Sequence, residues 1–294
     1  MTSASERPRG RELLVIWVVA FAIAIPLGVI GLRSLRSIEV PPSAAFEEYN
    51  APRVDEFAAR IDEGAFGIVA FGDSRLRNAT PDSESFAAAL TDAAGRDVVV
   101  LKLVNDWAIY DDFAPFSERI LDAEPHLVLF QEELRERHRG LDAEELLQRE
   151  YLAWRILQVG SWSPGSRDQD YLQLSADCSS NETVPERRVR MAQWLSFQPD
   201  GPTAERAADF ISALEARGID HRFLGIPVTE EAREGLPGIE WTDGPAGIQP
   251  DFAFDPELFC DPVHLGPDGR DVFTAWITDW FVDYSSDLPA RSTP

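Results

Sequence analysis

Residues 67–76, Gly67-Ile68-Val69-Ala70-Phe71-Gly72-Asp73-Ser74-Arg75-Leu76 (GIVAFGDSRL), decide how the rest of the chain is read. An uninterrupted apolar run that stops at a glycine is the pattern of a strand buried on both faces, because a half-exposed strand would alternate with polar residues. The next residues, Asp73 and Ser74, are short polar side chains suited to a tight turn and a helix start. The stretch therefore predicts a central strand that delivers a serine to the edge of a sheet.

The same punctuation recurs on either side. Ser83–Ala94 reads as an alanine-rich helix with Ser83 as its cap, and Val98–Val104 as a second buried strand. A helix follows near Asp112–Ala123, then a third strand, His126–Phe130, entered through Pro125. Thr203–Arg217 is a helix closed by Gly218, His221–Ile226 is a fourth strand, and Pro267–Tyr284 is an aromatic-rich helix. Apolar strands alternating with helices imply an α/β class, with a doubly wound, mostly parallel sheet flanked by helices. The expected domain covers residues 61–286, with a helical insertion at 141–200 and a short tail at 287–294.

Composition removes whole classes of function. Hydrophobic residues make up 44% and aromatics 10% of 294 residues, too much for a disordered chain. The net charge of −24 repels phosphate backbones, which argues against nucleic acid as a partner. Only one of the 27 basic residues, Lys102, is a lysine.

Leu13–Leu32 contains no charged residue and would measure roughly 30 Å as a helix, the thickness of a bilayer's hydrocarbon core. Arg7, Arg9 and Arg11 precede it, and a tail of residues 1–12 is too short to hold a domain. The expectation is a single-pass cell-membrane anchor at residues 13–32, with the N-terminus cytoplasmic. Residues 33–60 follow as a linker or stalk, marked by Pro41-Pro42, and the main domain lies outside the cytoplasm, periplasmic or at the cell surface. A cleaved signal peptide is the competing reading, but the apolar run is longer than such segments need.

Two elements carry chemistry. Ser74 stands where a doubly wound sheet places its sites, beyond the carboxyl end of a strand, and its own N–H can face a developing oxyanion. Near the other end, Asp261-Pro262-Val263-His264 sets a carboxylate and an imidazole three residues apart, so one turn can present both on one side. Cys178 and Cys260 can close one disulfide in an oxidising compartment or remain two buried thiols. Their spacing, with four scattered histidines, supports no metal site, and no cofactor is expected.

Taken together, GDSRL and DPVHLGPDGR (residues 261–270) resemble the two end blocks of the SGNH, or GDSL, hydrolase superfamily, over residues 65–284 in element order. The resemblance extends to Leu265 and Gly269, and to the strand that ends in Ile226-Pro227-Val228. It implies that Ser74 is the nucleophile, His264 the general base and Asp261 the residue that orients it. The middle blocks depart. Where the family has a glycine and an asparagine that donate to the oxyanion, this chain has Val104-Asn105-Asp106-Trp107 and Gln131-Glu132-Glu133-Leu134. Asn105 or Gln131 would have to donate through a side-chain amide, and Asn105, directly after the second strand, is the better placed.

The resemblance implies a membrane-anchored serine esterase or O-acyltransferase, acting on an acylated envelope or exported polysaccharide or another ester through an acyl-enzyme. The alternative is a catalytically weak glycan-binding or scaffold protein of polysaccharide-export machinery, with Trp107, Trp162 and Trp241 stacking on sugar rings. The two readings part on one contact, the Ser74 hydroxyl to the His264 ring.

Overall fold

The computed structural model describes residues 44–286 except 106, 140–182, 199 and 237–246, together with 17, 18 and 21. Contacts divide the chain into two units, residues 1–41 and 42–294, and the second holds the sheet and the helices that cover it. Among the described residues no helix is long and apolar enough to cross a membrane. Apart from residues 17, 18 and 21, the expected span at 13–32 lies outside them, as do residues 1–12 and 287–294, Cys178, Trp162 and Trp241.

The sheet is α/β. Strands β1 (Phe66–Gly72), β2 (Val98–Val104), β3 (Leu127–Gln131), β6 (Asp220–Leu224) and β7 (Gly247–Ile248) are all parallel, in the order β2-β1-β3-β6-β7. Two short antiparallel pairs stand apart from it: β4 (Arg137–Arg139) with β5 (Leu195–Phe197), and β8 (Phe259–Asp261) with β9 (His264–Leu265). After β1 the chain turns outward to β2 and then crosses back to β3 on the other side of β1. That reversal opens a crevice beyond the carboxyl ends of β1 and β3, the usual place for a ligand in such sheets.

Helices cover both faces, as the fully buried β1 requires. On one face Val69 and Phe71 pack with α1 (Ala44–Asp62), α4 (Ser117–Ala123) and α6 (Pro202–Ala216), through Phe46, Val54, Phe57, Ile120, Phe210 and Leu214. On the other, Phe66, Ile68 and Ala70 pack with α2 (Ser74–Ala79), α3 (Ser83–Ala94) and α8 (Pro267–Ser286), through Leu76, Phe86, Leu90, Phe273, Ile277 and Phe281. Each such side chain withdrawn from water contributes about 1.5–3 kcal/mol before chain entropy is counted.

The expected stalk needs correction. Pro41-Pro42 suggests a linker over residues 33–60, but residues 44–60 belong to α1 and form part of the core. Phe46, Asn50, Val54, Phe57 and Ile61 make a stripe at helical spacing. The buried Asn50 keeps its place in it by donating from Nδ2 to the Phe46 carbonyl at 3.0 Å. Asp82, not Ser83, caps α3, accepting from Ser85 N at 2.8 Å. Within the expected insertion at 141–200, the described part is α5 (Val184–Trp194), β5 and the residues beside them.

Candidate active site

Ser74 is the first residue of α2, directly after β1, and Asp73 caps that helix by accepting from Arg75 N at 2.8 Å. Gly72 is required by close approach: a Cβ there would lie 2.4 Å from Leu76 Cβ, where α2 folds back over the strand end. Lys102, fully buried in β2, ties down the following turn by donating from Nζ to the carbonyls of Thr80 and Pro81.

Asp261 and His264 sit on a hairpin rather than on a helical turn, paired across β8 and β9. Asp261 Oδ1 accepts from Val263 N at 2.9 Å and His264 N at 3.0 Å, so the carboxylate folds its own loop. Its other oxygen, Oδ2, lies 2.7 Å from His264 Nδ1. Gly269, at the start of α8, lets the helix close on this hairpin, since a Cβ there would meet the Leu258 carbonyl oxygen at 2.3 Å.

The two ends of the domain meet here. His264 Nε2 is 2.8 Å from Ser74 Oγ, 190 residues away in sequence, which completes a serine–imidazole–carboxylate chain. Because Asp261 is acceptor-only when ionised, it draws the Nδ1 proton and leaves Nε2 to accept from the serine. Burial by itself would raise the Asp261 carboxyl. The His264 hydrogen bond and charge, the Val263 N–H and the Arg187 guanidinium outweigh it and hold the group well below the usual carboxylate range.

Around the serine lies a small cavity of about 20 Å³, lined by Asp73, Ser74, Arg75, Arg137, Arg187 and Trp107, with Met191, Leu195 and Val263. Arg75 Nη1 donates to Glu133 Oε1 at 2.8 Å and its Nε reaches Asp73 Oδ1 at 3.4 Å; Arg137 Nη1 donates to Asp73 Oδ2 at 2.6 Å. All four side chains are buried. Desolvation opposes the charge on Asp73, but the two guanidiniums prevail and keep it ionised far below the ordinary range; Asp73 and Glu133 in turn raise Arg75. Arg187 reaches the cavity from α5, 3.8 Å from Asp261 Oδ2 and 5.1 Å above the Trp107 ring. Trp107 adopts φ 55°, a left-handed conformation uncommon for a bulky residue, and its carbonyl accepts from Arg139 Nη2 at 3.3 Å.

The two amides expected at the oxyanion are placed differently. Gln131 is fully buried at the end of β3, and its Oε1 accepts from Asp73 N at 2.9 Å; Nε2 has no partner among the described residues. Asn105 continues from β2, with its N–H donating to the Gly72 carbonyl at 3.2 Å. Neither lines the cavity. Of the arginines that do line it, Arg137 and Arg187 carry no local signal in the sequence that would mark them as site residues. Cys260, beside Asp261, is disulfide-bonded.

No protein-family model matches the chain, and no curated protein matches it in sequence.

Proposed function

We propose that this chain is a serine esterase or O-acyltransferase of the SGNH type, and the observation that carries the reading is the hydrogen-bonded chain Ser74–His264–Asp261. Ser74 Oγ attacks an ester carbonyl while His264 Nε2 takes its proton, and Asp261 stabilises the imidazolium that results. The same proton then goes to the departing alkoxide, leaving an acyl-serine for water or a sugar hydroxyl to resolve. Ser74 N–H, without a partner among the described residues, is available to the oxyanion.

The substrate we infer is an acylated envelope or exported polysaccharide, presented at the membrane surface to a domain tethered through residues 13–32. A glycan-binding scaffold would have no need of a serine held at 2.8 Å from an imidazole that is itself oriented by a carboxylate. The test is p-nitrophenyl acetate hydrolysis by the full-length chain in detergent, with Ser74→Ala as control. Turnover that Ser74→Ala abolishes is the expected result; a wild-type rate no higher than that of the variant would refute the enzyme.

A further inference from the structure

We propose that Arg137 is the second oxyanion donor, a catalytic residue that takes the place of the glycine and asparagine donors this chain lacks. The inference rests on the esterase reading.

Three observations converge on it. The Arg137 side chain is 2% exposed; its Nη1 is fixed to Asp73 Oδ2 at 2.6 Å, while its Nη2 makes no hydrogen bond among the described residues. A guanidinium oriented by a carboxylate on one side and left with an unused N–H on another is a preorganised donor. Arg137 also lines the same cavity as Ser74. Finally, Ser74 follows β1 and Arg137 stands on the connection that leaves β3, the two neighbouring strands between which the order reverses. Gln131 does not compete, because its amide oxygen is bound to Asp73 N and the side chain lies off the cavity wall.

As the bond from Ser74 Oγ to the carbonyl carbon forms, the π electron pair moves to the carbonyl oxygen and the serine proton passes to His264 Nε2. Arg137 donates a hydrogen bond to that oxygen and keeps its own proton throughout. Asp73 and Glu133 already balance Arg75 and Arg137, so the cluster is neutral at rest and its unused donor gains a partner only in the transition state.

The experiment uses the full-length chain in detergent with two probes. One is uncharged p-nitrophenyl acetate; the other is methylboronic acid, which adds to a serine hydroxyl as a tetrahedral anion and is followed by boron NMR against Ser74→Ala. Arg137→Ala should lower kcat by about a hundredfold or more with KM nearly unchanged. It should weaken the boronate adduct comparably, and added guanidinium chloride, below denaturing concentration, should restore part of both. If the alanine variant does not fold by near-UV circular dichroism, Arg137→Lys makes the same comparison with a smaller loss. A folded variant with unchanged kcat and boronate affinity overturns the assignment. So does a loss seen only as raised KM on carboxylate-bearing esters, which would make Arg137 an anion clamp. So does a wild-type chain that forms no Ser74-dependent boronate adduct. An adduct that weakens in Arg137→Ala, from a chain that hydrolyses nothing, retires the esterase reading and leaves the oxyanion site standing.

Discussion

On one side of the Ser74 cavity, Asp261 and His264 stand three residues apart on a single hairpin. On the other, Asp73 and Arg75 meet Glu133 and Arg137 across sequence separations of 58 and 64 residues. The first wall is made by local hydrogen bonds, Asp261 Oδ1 to two backbone N–H groups, which form whenever that hairpin forms. The second exists only because β1 and β3 are neighbours, and it stores two carboxylates and two guanidiniums out of water. Damage to His264 should therefore cost chemistry and spare the fold; damage to the second wall should cost the fold as well as the chemistry that Arg137 supplies.

The largest effect is expected at the first wall. His264→Ala should lower kcat by about 10⁴ or more, with a urea midpoint close to wild type. Ser74→Ala combined with His264→Ala should be no worse than either alone, because the residues act as one unit. Additive losses in the double variant, seen in turnover of p-nitrophenyl acetate, would break the chain Ser74–His264–Asp261 into independent contributions.

Next in size is the second wall. Asp73→Ala strands Arg137 without its carboxylate and leaves Arg75 with Glu133 alone; breaking a buried pair in this way costs about 3–5 kcal/mol, measurable as a fall in urea midpoint. For comparison, the surface pair Arg217–Asp122, at 3.0 Å with side chains 38% and 71% exposed, should cost less than about 1 kcal/mol when Asp122→Ala removes it. Equal losses would mean that the buried cluster contributes no more to stability than an ion pair in water.

One carboxylate from each wall sets an acid limit. Asp73 and Asp261 have folded-state carboxyls held below their unfolded value of about 3.9, so the unfolded chain binds more protons than the native one in the interval between. Their contribution is complete above that value and is lost progressively as pH falls through it. Urea midpoints taken from pH 6 down to pH 3 should decline below about pH 4, and decline less steeply in Asp73→Asn. A wild-type midpoint flat over that range would contradict the ionised state of both groups.

The contrast between the walls also separates what is legible in the sequence from what is not. GDSRL and DPVHLG can be read because a strand end, a cap and a three-residue spacing are local facts, and β1, β2 and β3 show as apolar runs for the same reason. Arg137 and Arg139 look like surface residues in a charged stretch; only their distant partners Asp73 and Asp112 make them interior. The α1 stripe is masked because Asn50 and Pro52 interrupt its apolar character. Its spacing, Phe46, Asn50, Val54, Phe57 and Ile61, is nevertheless present to be counted.

The smallest effect expected is at Asn105, and it bears most directly on the comparison. From sequence, the residue after β2 is the favoured oxyanion donor, and its loss would cost about a hundredfold in kcat. In the folded chain Asn105 is half-buried, its N–H is committed to the Gly72 carbonyl, and its side chain lies off the cavity wall that Arg137 occupies. A backbone N–H survives substitution, so Asn105→Ala should keep the bond to Gly72, and with it the end of β1 that carries Ser74. Its kcat on p-nitrophenyl acetate should stay within about threefold of wild type, while Arg137→Ala falls far below. If the order were reversed, the oxyanion would have to be reached by the amide, through a side-chain rotation on substrate binding. The arginine wall would then be left with stability as its only task.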